Sequence, residues 1–336
     1  MRSGQRINSI WMLFIVLCCV FANSKAQFSP EKYFVKNIHL KDGLSQCVVT
    51  DILQDTMGFI WAATYDGLNR YDGTNIKIYR HQPENPASIP SSKILKLKAD
   101  NNNHLYMITN AGFCIFDCTS EKIVRAPFLK TYQPQWLCTS QNETVWMYSN
   151  KLGLIQIDSR NFNAKLVTHS SFIKNYPSEI QEMIFTGQQI YGIFLNGTVM
   201  RFDIKANTFS YYTNPIINGS INSSGLDKFG NIICSTTESD LMYFDVRRNL
   251  FSRPAFFNHE ANFIGINGIK YNPQTDVLML SSYGQGLFAY EYKTGQLRQI
   301  KKNNPQLPIA ANYPISINSN KEGILMIGYD GMGIDI

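Results

Sequence analysis

Short alternations of apolar and polar residues recur along the whole chain, and no long window carries an apolar stripe at helical spacing. The best-formed stretch runs from Asp51 to Gly73, DILQDTMGFIWAATYDGLNRYDG. It predicts three strands. The first ends at Gln54, and Asp55 to Gly58 turns the chain. The second spans Phe59 to Thr64, and Tyr65, Asp66 and Gly67 form the next turn. The third, Leu68 to Tyr71, stops at Asp72-Gly73, and a fourth follows from Asn75 to Arg80. Asp and Gly suit such turns because Asp bonds its own backbone and Gly accepts positive φ.

The same unit then recurs. The large apolar residue of the second strand is placed at Trp61, Tyr106, Trp146, Tyr191, Ile233, Leu278 and Leu325, at intervals of 45, 40, 45, 42, 45 and 47 residues. The acid closing the third strand is placed at Asp72, Asp117, Asp158, Asp203, Asp245, Glu291 and Asp335, at intervals of 45, 41, 45, 42, 46 and 44. Two markers that keep step over this length define seven units. Their approximate bounds are 45–90, 91–131, 132–174, 175–215, 216–260, 261–308 and 309–336.

A four-stranded unit of this period predicts an all-β, seven-bladed β-propeller. One sheet cannot bury both its faces, whereas blades around an axis pack on each other, with Trp61, Tyr106, Trp146 and Tyr191 supplying large packing area. The seventh unit has only three strands before Ile336. Tyr33 to Leu40 (YFVKNIHL) lies ahead of the first unit in the phase of a fourth strand. It is expected to complete the last blade, because an open ring leaves an unpaired sheet edge. Segments such as Gln82 to Pro90 link one blade to the next.

The amino terminus departs from this pattern. Arg2 and Arg6 precede the apolar run Ile10 to Ala22, and Ser24-Lys25-Ala26 offers small residues for cleavage after Ala26. Residues 1–26 read as a signal peptide. The run is short for a membrane helix, although an uncleaved anchor is the alternative. Cys18 and Cys19 lack the small preceding residues of a lipoprotein site. The formal charge of +6 falls to +3 when Arg2, Arg6 and Lys25 are removed. The remaining basic residues are not clustered, so no nucleic acid is expected as partner.

Five cysteines remain beyond residue 26: Cys47, Cys114, Cys118, Cys138 and Cys234. An odd number does not form a disulfide framework, and small buried strand residues are the expected role. A Cys114–Cys138 disulfide is the alternative in an oxidising compartment. Cys114 and Cys118 have no second pair to complete a zinc site. His39, His81, His104, His169 and His259 show no metal-ligand spacing, and neither a nucleophile elbow nor a phosphate-binding glycine loop occurs, so no metal or cofactor is expected. The sequons at Asn142 and Asn196 matter only in a eukaryotic secretory pathway.

Chemistry is expected on the face shared by the second-to-third-strand turns and the blade links. Candidate ligand residues there are Tyr65, Asp66, Asn110, Lys151, Asn196, Tyr283, Gln285, Tyr329 and Asp330. Aromatic rings beside amides and carboxylates suit a sugar, whose ring faces stack and whose hydroxyls need donors and acceptors. The alternative is that these are turn residues alone. The repeated acids are expected to be structural, since a catalytic acid is needed once or twice and a turn in every blade. Asp55 to Trp61 is similar to the Asp box of sialidases, with Leu53 where that box has Ser or Thr; it too is a structural turn.

The stretch from Asp42 to Gly73, DGLSQCVVTDILQDTMGFIWAATYDGLNRYDG, resembles the opening of the periplasmic sensor region of bacterial hybrid two-component systems. Its pattern D-x-x-G-x-I-W-x-x-T-x-x-G-L-x-x-Y-D maps onto Asp55 through Asp72, and it weakens in units two to six. The resemblance implies a sensor of oligosaccharides, attached to an inner membrane in the intact protein and acting as a dimer. It also implies a second propeller, a β-sandwich stalk and a histidine kinase, none of which this sequence holds. The expected role is therefore ligand sensing without catalysis, by a fragment or a truncated relative. The alternatives are an exported propeller enzyme, such as a glycan lyase or hydrolase, and a protein-binding scaffold.

Overall fold

The computed structural model describes residues 34–126, 128–129, 134–139, 143–167, 179–215, 218–254, 263–305 and 307–336. The proposed signal peptide and residue Tyr33 lie outside them. Seven four-stranded antiparallel sheets make up an essentially all-β chain. Blade 1 is built from Val49–Gln54, Ile60–Thr64, Gly67–Tyr71 and Ile76–Tyr79. The inner strands of blades 2 to 7 are Ile94–Ala99, Trp136–Thr139, Ile180–Phe185, Ile221–Leu226, Ile266–Asn272 and Pro314–Ser319. Each inner strand neighbours the next, and blade 7 neighbours blade 1, so the seven close into a β-propeller around an axial channel.

Hydrophobic burial lies between blades. Seven core clusters each join one blade to its successor, the last joining blade 7 to blade 1. The geometry repeats. Trp61 meets Phe116 of blade 2 at 5.9 Å, Trp146 meets Phe202 of blade 4 at 5.6 Å, and Tyr191 meets Phe244 of blade 5 at 6.4 Å. A second-strand ring thus packs on the apolar residue just before the acid of the next blade. Edge-to-face and tilted rings at such spacings add to the area buried.

Pairing corrects three positions read from the sequence. Trp61 faces Leu53, and the equivalent partners in blades 6 and 7 are Met279, facing Lys270, and Met326, facing Asn318. The apolar markers are therefore Met279 and Met326, one residue beyond Leu278 and Leu325. A slip of one residue reverses the face in a strand. Accordingly Leu278 packs towards blade 5, whereas Met279 packs towards blade 7. Asp335 pairs with Ile327 and occupies the place of Asn69, which pairs with Ala62. It is therefore out of step with the other acids.

Those other acids are structural. Asp72 accepts from the amides of Thr74 and Asn75, and Asp245 from those of Arg247 and Arg248. The first-to-second-strand turns use an acid likewise. Asp55 Oδ1 accepts from Met57 N and Phe59 N while its Oδ2 takes Trp61 Nε1 at 2.6 Å; Asp100 repeats this with Asn102 N, His104 N and Tyr106 Oη. One carboxylate thus fixes a turn and orients the ring that packs on the next blade.

The ring closes as the sequence predicts, through a shorter strand than expected. Asn37–Ile38 pairs antiparallel with Ile334–Asp335, and Lys36 and Ile336 exchange both backbone bonds at 3.0 Å. The chain then leaves the sheet in a short 3-10 turn, Leu40–Asp42. Buried Asp335 gathers Asn37 Nδ2 at 2.9 Å, Tyr329 Oη at 2.6 Å and Ala310 N at 2.8 Å. It thereby ties the first described strand to the last.

Asp335→Ala leaves three donors facing a void and should cost about 3 kcal/mol, measured by urea unfolding. Unchanged stability would contradict this latch. Backbone donors hold the Asp72 carboxyl down at about 2, below its usual 3.8. A lowered folded value adds stability above the unfolded value and loses it as pH falls through the folded one. Asp72→Asn should therefore flatten the acid limb of the stability curve between about pH 4 and 2.

Candidate functional site

The second-to-third-strand turns of blades 1 and 2 follow one local design. Thr64 Oγ1 donates to Gly67 O at 2.9 Å and accepts from Asp66 N at 3.1 Å, and Thr109 does the same with Gly112 and Ala111. The hydroxyl closes the turn, so the two residues between it and the glycine project outward. Gly67 has φ +124°, and a Cβ there would lie 2.7 Å from Tyr79 O. Gly286 has φ +82°, with Ile300 O at 2.3 Å from such a Cβ. Both positions demand glycine.

On this scaffold the candidate residues divide. Tyr283 and Asp330 meet, the Tyr283 hydroxyl donating to Asp330 Oδ2 at 2.8 Å across the gap between blades 6 and 7. That carboxylate pushes the phenol pKa up. Tyr313, from the link into blade 7, packs edge-on against Tyr283 at 5.3 Å, and each is 48% exposed. Exposed Ile264 and Met332 lie in neighbouring segments of the same face. In blade 1, Lys93 Nζ sits 4.4 Å over the exposed Tyr65 ring, and Arg80 binds Asp66 at 3.0 Å. Blade 7 connects the two groups, since Gly331 N and Gly333 N both donate to Cys47 O at the start of blade 1. Blades 6, 7 and 1 thus present a continuous arc of tyrosines, carboxylates and cations.

Other candidates stand apart. Asn110, Lys151 and Asn196 are exposed at the turns of blades 2, 3 and 4. Asn196 Oδ1 accepts from Thr198 N at 3.1 Å. Gln285 spends its side-chain oxygen on Ile264 N at 2.8 Å and Ser282 Oγ at 3.1 Å, so it braces the link into blade 6. Tyr329 is corrected outright. It is 0% exposed, ends a strand at the place of Thr64 and donates to Asp335, so it is a core residue. Tyr313, Lys93 and Arg80 were missed because they lie in links rather than turns. The shared face of links and turns was the signal that could have found them.

All five cysteines among the described residues are free, and burial pushes the Cys114 and Cys138 thiols up to about 12, far from reactive thiolates. The described residues hold no group of three His, Cys, Asp or Glu suited to a metal. A shallow cleft on the opposite face of blade 3 is lined by Glu143, Asp158 and Arg160. Arg160 there reaches Glu143 at 3.1 Å and Asp158 at 3.4 Å.

The class defined by these features is a seven-bladed propeller with an aromatic, polar arc on its link face. No protein-family model matches the chain. It is similar to the extracellular domain of a putative hybrid two-component system from B. thetaiotaomicron, at 18% identity and a TM-score of 0.73 over 90% of this chain and 41% of that one. A second such domain from that organism matches at 22% identity and 0.69, over 90% of this chain and 39% of that one. The fold is also shared by a streptogramin B lyase, at 10% identity and 0.64, over 90% and 96% of the two chains. Among curated proteins, histidine kinase P4 of Formosa agariphila is 43% identical over 84 residues, which are 25% of this chain and 6% of the kinase. The chain thus spans about two fifths of these solved extracellular domains and a small part of the kinase. Among the described residues no helix is long and apolar enough to cross a membrane.

Gly67→Ala should destabilise the chain by about 1–3 kcal/mol through its left-handed backbone and the Tyr79 carbonyl. Denaturant unfolding measures this, and a change below about 0.5 kcal/mol would refute the requirement for glycine.

Proposed function

We propose that this chain is an extracytoplasmic ligand-sensing module of a two-component signalling receptor, and that its ligand is an oligosaccharide. The observation that carries the ligand class is the arc of exposed Tyr65, Tyr283 and Tyr313 beside Asp66, Asp330, Lys93 and Arg80. Aromatic faces stack on sugar rings, and fixed carboxylates and cations meet hydroxyls. Similarity to extracellular domains of two-component systems and to a histidine kinase supports the signalling context.

Sensing needs no reaction at the site. A ligand that binds one arrangement of a receptor better than another shifts the balance between them. In an intact receptor, a second propeller and a second copy of the chain are the parts whose arrangement shifts. An inner-membrane receptor facing the periplasm gives the amino-terminal leader its purpose.

Calorimetry of the purified chain against neutral and acidic oligosaccharides tests this reading, with product release followed in parallel. Binding without turnover is expected, weakened at least tenfold by Tyr283→Ala combined with Tyr313→Ala. Product release would establish the lyase or hydrolase instead, and unchanged affinity in the double variant would remove the arc from the site.

A further inference from the structure

The inner strands carry five charges: Asp51 in blade 1, Lys96 and Lys98 in blade 2, Glu182 in blade 4 and Lys270 in blade 6. Several of these come together although their blades are not neighbours. Lys98 Nζ lies 3.6 Å from Glu182 Oε1, reaching past blade 3. Lys270, in turn, feels both Lys98 and Asp51. Residues of blades 1, 2, 4 and 6 can meet only in the axial channel. Pairing places Lys98 and Lys270 at the same level of it, since both occupy the inner-strand position of Leu53.

The acids there are already engaged. Asp51 accepts from Ile52 N and Leu97 N, each at 2.9 Å. Glu182 accepts from Met183 N at 3.2 Å and pairs with Lys98. Among the described residues Lys270 has no hydrogen-bond or ion-pair partner. Burial, and then the neighbouring Lys98 charge, pull its ammonium below the ordinary lysine value, whereas Glu182 raises that of Lys98. The inner strands therefore carry three ammonium groups against two occupied carboxylates, and Lys270 stands partly exposed in the channel without an acceptor among the described residues. Such an arrangement is short of one negative charge.

We propose that the axial channel is an anion site in which Lys98 and Lys270 hold the carboxylate of a small ligand. The carboxylate completes the charge balance and supplies the acceptor that Lys270 lacks. Leu53, Cys138, Ile184, Gly225 and Asn318 occupy the same level of the inner strands and bring no competing charge to it. The site is separate from the tyrosine arc, so it stands or falls independently of the sensing reading.

The test titrates the purified chain with sodium acetate, sodium glucuronate and neutral glucose, following lysine ammonium signals by NMR. Acetate or glucuronate should bind and raise the Lys270 pKa, whereas glucose should not. Binding of both acids indicates a seat for any carboxylate, and binding of glucuronate alone indicates a sugar acid; either supports the site. Lys270→Met should lower carboxylate affinity at least tenfold, while Lys270→Arg and the outer-surface variant Lys165→Met retain it. Removing an unpartnered charge from the channel should also leave Lys270→Met at least as stable as the parent. Equal binding of glucose and glucuronate, an unmoved Lys270 signal, or full affinity in Lys270→Met would overturn the proposal.

Discussion

The hydrophobic contact between successive blades is the constraint on which the rest of the molecule depends. No blade holds a core of its own. Each offers two apolar faces, and each face is covered only by the next sheet around the axis. A row of such sheets leaves two bare ends, and bending the row into a ring removes both. The link between the first and last strands therefore matters out of proportion to its length. Two residues of ladder, Asn37 and Ile38, together with the buried carboxylate of Asp335, hold the interface that completes the ring.

Polar groups do a different job. Acids and hydroxyls at the turns spend themselves on nearby backbone amides, so each loop has a fixed shape before any ligand arrives. The bulged residue of an inner strand does the same between blades. Thr50, Asn222 and Asn267 donate to the carbonyls of Ile94, Ile266 and Pro314 in the following blade, at 2.7, 2.6 and 2.7 Å. A scaffold stiffened in this way can vary its outward residues freely. Individuality then appears where the repeat is broken: in the tyrosines of blades 6, 7 and 1, and in the charges of the channel.

Much of the fold was legible because repetition multiplies a weak local signal. A single turn of polar residues means little, but seven at a nearly constant period imply seven equivalent sheets. The errors fell where the repeat was least regular. In blade 6, Leu278 and Met279 are both large and apolar, and nothing local tells which one faces blade 7. In blade 7, Tyr329-Asp330-Gly331 copies Tyr65-Asp66-Gly67 in letters but is displaced by one residue in register. The copied tyrosine therefore points into the core.

The sequence by itself determined the strand period, the turn chemistry, the number of blades and the need to close the ring, because all of these follow from local hydrogen bonding and from apolar faces that must be covered. Only the tertiary structure decided which side chains share a site. Tyr283 with Asp330, Lys98 with Glu182 and Asn37 with Asp335 are separated by 47, 84 and 298 positions along the chain. The packing of blades around the axis and the closure of the ring bring these pairs together, and no periodicity encodes what two such residues become once they are neighbours.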